Sequence, residues 1–322
     1  MLHPWRDFCC GGGAMPILDA AGTRAARTAE LWWLMLGLGL AVYLVVLVSL
    51  ALALAAGPRG RLALTERART WLVIGGGALG PAVVLLILAF ANLRTLIAVA
   101  APSATPDLTL DVIGHQWWWE VRYPDQGFST ANEIHIPSGR VVLVHLTSVD
   151  VIHSFFVPRL AGKTDLNPGM TTSMWFDADV PGQYRGQCAE YCGIQHARMA
   201  LTVFAEDAGQ FAAWVARQQQ PAAPPSDPTL ARGAQAFASL GCIGCHALRY
   251  GGTAAVGGDV GPDLTHLAGR TTIAAGTLPN TVDALARWIT NPQAEKQGTP
   301  MPPTQTDPDT LRALAAYLSS LR

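Results

Sequence analysis

Residues Cys188 to Met199 read CAEYCGIQHARM, which places two thiols, an imidazole and a thioether within twelve residues. Soft thiolate and thioether donors with imidazole are the set that selects copper over calcium, magnesium or manganese. A mononuclear blue-copper centre uses two His, one Cys and a weak axial Met, so the second Cys is one thiolate more than that centre needs. The surplus implies two coppers sharing both sulfurs, and such a pair requires a second imidazole. His153, in VDVIHSFFVP at the end of an apolar strand-like run, is the candidate.

Two plainer chemistries use some of the same residues. Cys-x3-Cys-x3-His with another His overlaps the ligand spacings of structural zinc, but zinc would leave Met199 idle. In an oxidising compartment Cys188 and Cys192 would form a disulfide, which would leave both His196 and Met199 idle.

The segment resembles, residue by residue, the binuclear CuA site of cytochrome c oxidase subunit II: Cys188, Glu190, Cys192, His196 and Met199, with His153 upstream. The resemblance implies that Cys188 and Cys192 bridge the coppers, that His153 and His196 each bind one, that Met199 is a weak axial ligand, and that Glu190 contributes its main-chain carbonyl. It also implies that the Glu190 carboxylate faces a magnesium ion shared with subunit I.

The chain has 322 residues, half of them hydrophobic, and a formal net charge of -1. That length suggests about two domains at roughly 150 residues each. Near-neutral charge gives no electrostatic case for nucleic acid. The cysteines pair as Cys9 and Cys10, Cys188 and Cys192, Cys242 and Cys245, a pattern that suits metal and cofactor attachment better than a disulfide framework.

Residues 1–30 read as a leader. MLHPWRDFCCGGGAMP lacks an apolar run, so it is not a signal peptide as it stands. Cys9 or Cys10 is a candidate lipid-bearing thiol, a plain leader being the alternative. Residues 31–100 read as a transmembrane hairpin, because Leu31 to Ala56 and Trp71 to Ala91 contain no charged residue and a spanning helix needs about 20 apolar residues. Between them, Arg59, Arg61, Arg67 and Arg69 against Glu66 place the loop in the cytoplasm and residues 101–322 outside. Relatives often carry a Glu near the start of the second span, at the mouth of a proton path; here Ala68 takes that position, with Glu66 nearby.

From Leu108 the pattern becomes strand-like. LTLDVIG, VVLVHLTS, TTSMWFDADV and ALTVFAED are short runs separated by Pro, Gly and Asn turns, which predicts an all-β sandwich or barrel over 101–216. The resemblance makes this a cupredoxin Greek key with the copper loops at one end. GHQWWW, Gly114 to Trp119, reads as one strand with Trp117 and Trp119 on one face and Trp118 on the other. By resemblance Trp117 is where electrons enter from cytochrome c. His135 and His145 read as structural, and Lys163, Thr164 and Asp165 match a family segment near the subunit I boundary.

Residues 217–230 form a linker whose QQQPAAPPSDP, Gln218 to Pro228, reads as a semi-rigid spacer. In 231–322, an amphipathic helix runs into Cys242-Ile-Gly-Cys245-His246, the C-x-x-C-H pattern of covalent c-type haem attachment. A zinc ribbon would need a second Cys pair and a thioredoxin motif a βαβ pattern; neither follows. The two Cys would bond the haem vinyls and His246 the iron. Met301, in GTPMPP, is the only Met after Met199 and the candidate sixth ligand; His266, in GPDLTHLAGR, competes with it. The closing helix DPDTLRALAAYLSSLR would pack on the first through Gly233, Phe237 and Tyr317, as in cytochrome c folds.

The resemblance covers about 30–220 as subunit II and 228–322 as cytochrome c. It implies a membrane-anchored multidomain chain: a two-helix transmembrane hairpin, an all-β cupredoxin Greek-key domain and an all-α cytochrome c domain. Its place would be the bacterial inner membrane, its partners subunits I and III and an external cytochrome c or other donor. Electrons would pass through one haem c to two coppers and on to haem in subunit I, where oxygen is reduced with proton pumping. Neither span contains a His, so oxygen chemistry needs a partner. A nitric oxide reductase with a CuA subunit and a membrane-tethered electron shuttle are the alternatives; a quinol oxidase subunit II would lack these ligands.

Overall fold

From Leu31 onward, the helix Thr23–Ala56 (α1) carries apolar side chains on every face and no polar stripe to turn toward water, and it exposes Leu44, Val45 and Val46 by more than half. The structure is a computed structural model that describes residues 16–56, 65–102, 104–251 and 255–322. The second apolar helix is continuous over Glu66–Ala100: Glu66–Ile74 (α2), one π turn at Gly75–Leu79, and Gly80–Ala100 (α3). Pro81 follows directly on that π turn, where Gly80 N–H bonds to Gly75 O, so its missing N–H falls where the helix already departs from α-helical bonding. At about 1.5 Å per residue, 34 and 35 residues exceed the roughly 30 Å hydrocarbon layer, so the uncharged runs read from the sequence lie inside longer helices. Glu66 pairs with Arg69 at 3.2 Å on the first turn of α2. Cys9, Cys10, Arg59 and Arg61 lie outside the described residues.

The two helices form one compact unit and the remainder another. In the second unit, ten strands build two five-stranded sheets. The first sheet is ordered β3-β2-β1-β5-β8, from Phe128–Ala131 (β3), Trp118–Tyr123 (β2), Leu108–His115 (β1), Val142–Ser148 (β5) and Thr172–Phe176 (β8). The second is ordered β4-β10-β9-β6-β7, from Glu133–Pro137 (β4), Ala200–Glu206 (β10), Gly182–Cys188 (β9), His153–Phe156 (β6) and Thr164–Leu166 (β7). Alternate residues of β1 and β5, such as Leu110, Val112, Val144 and Leu146, are fully buried between the sheets. Each such side chain contributes about 1.5–3 kcal/mol relative to exposure. The helix Ala208–Gln218 (α4) lays Trp214 against Tyr123 and stacks it on His135 at 4.1 Å. That makes His135 a packing residue, while His145 meets the Ser173 hydroxyl at 3.1 Å.

One expectation fails. GHQWWW is not a single strand: β1 ends at His115 and β2 begins at Trp118, with Gln116 and Trp117 in the turn between. Trp119 is fully buried in the core and Trp117 is only partly buried against it. The reason is the antiparallel β1–β2 pairing, Gly114 opposite Trp119 and His115 opposite Trp118, which closes a tight hairpin within the run.

The C-terminal part is helical: Pro228–Ser239 (α5), Val282–Thr290 (α6), Pro292–Glu295 (α7) and Pro308–Leu318 (α8), with the short strand pairs Leu248–Arg249 (β11) with Ala255–Val256 (β12), and Thr272–Ile273 (β13) with Leu278–Pro279 (β14). Asp227 and Asp307 each cap a helix by accepting two backbone N–H bonds, at 2.8–2.9 Å and 2.9–3.0 Å. The helices α5 and α8 cross where Gly233 has no side chain, and Phe237 and Tyr317 pack beside the crossing, ring centroids 6.5 Å apart. The Pro-rich stretch is not a free spacer. Ala222 is buried in the helical core and its N–H bonds to Arg249 at 2.8 Å, while the carbonyls of Gln218 and Gln220 accept from Arg249 and His266.

A Cβ added at Gly233 would lie 2.2 Å from the Ala313 carbonyl oxygen and 2.5 Å from Tyr317 Cβ, so Gly233→Ala forces the helices apart. Denaturant unfolding should show the C-terminal part destabilised by about 1–3 kcal/mol.

Candidate metal centre and the cavity beside it

The β6–β9 register decides which side chains meet. Phe155 pairs with Cys188, so His153, two residues before Phe155 on the same face, reaches toward the end of β9. There Cys188 N–H bonds to the Met199 carbonyl at 3.0 Å and closes the loop between them. A 3-10 turn at His196–Arg198 folds that loop back, and Gln187 Nε2 donates to the His196 carbonyl at 3.0 Å.

All six residues expected as metal ligands come together. The two sulfurs, Cys188 Sγ and Cys192 Sγ, lie 3.8 Å apart, far beyond the roughly 2.05 Å of a disulfide. His153 Nδ1 faces Cys188 Sγ at 3.9 Å and His196 Nδ1 faces Cys192 Sγ at 3.7 Å. Met199 Sδ is 3.9 Å from Cys192 Sγ, and the Glu190 carbonyl oxygen is 3.2 Å from Cys188 Sγ. His153, Cys188, Cys192 and Met199 are at most 2% exposed.

The chemistry of this set suits soft metal ions. The hydrogen bond between the thiols holds Cys188 well below the ordinary thiol range; the same bond, with burial, pushes Cys192 up. Burial acts to lower His153, but the hydrogen bonds to Asp150 and Cys188 outweigh it and hold the imidazole above its ordinary value. His153 Nε2 lies 2.8 Å from Asp150 Oδ1. An ionised carboxylate only accepts, so the ring proton sits on Nε2 and Nδ1 is left to face the sulfurs. Asp150 was not among the residues read from the sequence; its sole signal is a carboxylate three positions before His153.

The Glu190 carboxylate points the other way. It meets Lys163 Nζ at 3.2 Å, and Lys163 also meets Asp165 at 3.4 Å.

Beside this cluster lies a cavity of about 230 Å³ lined by Cys242, Cys245, His246 and Met301. Each of the four residues expected to hold haem therefore faces one space. His246 Nδ1 donates to the Pro262 carbonyl at 2.8 Å, which fixes the ring and leaves Nε2 as the nitrogen available to iron. Burial holds this imidazole below its ordinary pKa, in the neutral form a metal ligand needs. Gly261 lies flat on the ring: a Cβ there would be 2.5 Å from His246 Cε1. His266 is directed elsewhere, its Nε2 donating to Gln220 O at 2.9 Å.

The sheet side of the unit also lines the cavity, through Gln116, Trp117, Trp118 and Gln195. The Trp117 indole N–H and Gln116 Nε2 both donate to the Cys192 carbonyl, each at 2.8 Å. Trp117 thus touches the Cys188–Met199 loop with its ring while bordering the cavity. Gln195 and Lys296 belong to the same junction, and nothing in their spacing marked them.

Residues 126–205 match the family described as cytochrome c oxidase subunit II, periplasmic domain, and residues 230–322 match cytochrome c. The chain is 38% identical over 260 residues to cytochrome c oxidase subunit 2 of Alkalihalophilus pseudofirmus, which covers 79% of this chain and 72% of that one. It is 32% identical over 267 residues to the protein of the same name from Bacillus sp. strain PS3, covering 78% and 73%. The solved periplasmic domain of subunit II of cytochrome oxidase from Bradyrhizobium japonicum is 34% identical, with 36% of this chain and 96% of that one covered and a TM-score of 0.35. With four-fifths of its length aligned to these relatives and a haem-attachment motif in its own C-terminal domain, the chain belongs to the cytochrome c oxidase subunit 2 family.

Proposed function

We propose that this chain is the electron-accepting subunit of an aerobic haem-copper oxidase. It takes electrons from an external cytochrome c or another donor through a haem c held by Cys242, Cys245, His246 and Met301. They pass to a two-copper cluster held by His153, Cys188, Cys192, His196, Met199 and the Glu190 carbonyl. From there they reach haem in subunit I, where oxygen is reduced to water with proton pumping. The chain sits in the bacterial inner membrane on its two apolar helices, with the large C-terminal part outside, beside subunits I and III. The observation that carries the reading is the sulfur pair at 3.8 Å with one imidazole nitrogen facing each sulfur.

The bound metals would supply one-electron redox chemistry with little change in geometry. The protein's own part is to hold donors still. Asp150 orients His153, Pro262 orients His246, and Trp117 bonds the copper loop while bordering the haem cavity. Glu190, 44% exposed and joined to Lys163, is suited to a magnesium ion at the boundary with subunit I. The test is metal and haem analysis of the full chain in detergent, with electron paramagnetic resonance. By ligand count about two coppers and one haem per chain are expected; a chain that takes up only zinc contradicts the reading.

Cys192→Ser should abolish the mixed-valence copper resonance while leaving covalent haem intact. Met301→Leu should lower the haem potential and open an axial position, visible as carbon monoxide binding to the reduced protein. Asp150→Asn keeps every copper ligand but cannot hold the His153 proton in the same way. Chelator competition should show copper affinity lower by about 10–100-fold.

A further inference from the structure

Lys296 is 3% exposed, yet no carboxylate accepts from it among the described residues. Its Nζ donates to two main-chain carbonyls, Trp117 O at 2.9 Å and Ala274 O at 3.2 Å. The first belongs to the β1–β2 turn of the cupredoxin domain, the second to the cytochrome c domain. An ammonium in such a place is expensive to bury, and burial, aided by the nearby Arg198, pushes Lys296 down to about 7. A side chain kept at that cost and satisfied only by carbonyls calls for an account.

The surroundings supply one. The main chain around Lys296 is bonded to the copper loop: Gln195 Nε2 donates to Lys296 O at 3.3 Å and to Gln297 O at 2.9 Å, and Arg198 Nη1 donates to Glu295 O at 2.9 Å. On the other acceptor, Ala274 and Ala275 both adopt positive φ, 54° and 55°, a conformation that non-glycine residues keep only when their surroundings impose it. Both carbonyls made available there are used, Ala274 O by Lys296 and Ala275 O by Ala200 N–H at 3.3 Å. Lys296 stands five positions before Met301 on one continuous loop and lines the same cavity.

We propose that Lys296 is a positioning residue for electron transfer from haem to copper: its Nζ pins the main chain of Trp117 to the loop carrying Met301. The indole that hydrogen-bonds the Cys192 carbonyl is thereby held at a fixed place beside the haem cavity. This rests on the haem and copper reading above. The step it serves is the transfer of one electron, lost by reduced haem and gained by the oxidised copper pair, with no bond made or broken and no proton moved.

The experiment compares wild type with Lys296→Met, Lys296→Gln and Lys296→Arg in the assembled, detergent-solubilised oxidase. Three quantities are read: donor-to-haem rate, haem-to-copper rate after rapid haem reduction, and hydrogen exchange of peptides covering 115–120 and 293–299. Lys296→Met should retain both cofactors and accept electrons from the donor at the wild-type rate, while haem-to-copper transfer slows by about tenfold or more, since small misplacements of a positioned group cost up to about 10²-fold in rate. Exchange should quicken in both peptides and nowhere else. Lys296→Arg, which keeps the donors, should restore most of the rate, and Lys296→Gln should fall between. Unchanged transfer in a variant that retains both cofactors overturns the proposal. Loss of haem or copper from both Lys296→Met and Lys296→Gln overturns it too, because Lys296 would then be a folding requirement. A wild-type complex without haem-to-copper transfer would instead defeat the underlying reading.

Discussion

The pairing of β6 with β9, Phe155 opposite Cys188, is the constraint on which the site depends. Side chains alternate across a strand, so a slip of one residue would turn His153 or Cys188 to the opposite face of the sheet. The register is held by burial on both sides. Phe155 packs edge-on to Trp119 and stacks with Phe176, and Ala189 N–H bonds back to Ser154 O at 3.0 Å. The sulfur and imidazole atoms of the cluster therefore inherit their positions from a hydrophobic core that has no chemistry of its own. A loop with the same ligands on a less constrained sheet would have to pay the ordering entropy whenever metal bound.

The junction between the sheet domain and the helical domain is polar and buried. Glu133, 3% exposed, accepts from Thr271 N, Thr271 Oγ1 and Thr272 N at 2.8, 2.6 and 3.1 Å. Arg270 lines the cavity next to that contact, and burial holds its guanidinium below the ordinary value. Such groups add little net stability, because desolvation offsets the hydrogen bonds. They do penalise every misaligned arrangement, in which each would be left without partners. An apolar contact of the same area would tolerate sliding; this polar one does not.

The same economy explains the Pro-rich stretch. Its composition is that of a spacer, and in isolation it would behave as one. In the folded chain Ala222, Gln218 and Gln220 are bonded to Arg249 and His266, so the stretch is a strap over the helical domain. Its prolines limit the conformations that must be given up when it docks.

Much of this was legible in the residues themselves. The soft donor set of Cys188 to Met199 is a local signal, because thiolate, imidazole and thioether stand there at close spacing; C-x-x-C-H and the two uncharged apolar runs are equally local. Alternation along β1, β5 and β10 marked the sheet domain because one face of each strand is buried. Other features depend on contacts between distant segments, which local patterning does not encode. The turn at Gln116 and Trp117 lies inside an aromatic run that reads as a strand, and only the β1–β2 pairing puts it there. Asp150 is one carboxylate among many until the fold sets it against His153. Lys296 looks like any solvated lysine until two domains close over it. The chain by itself determined which donor types stand at which spacing, since that chemistry belongs to the residues themselves. Tertiary structure alone decided how the sulfur–imidazole cluster and the cavity meet at Trp117, because that depends on which buried surfaces meet.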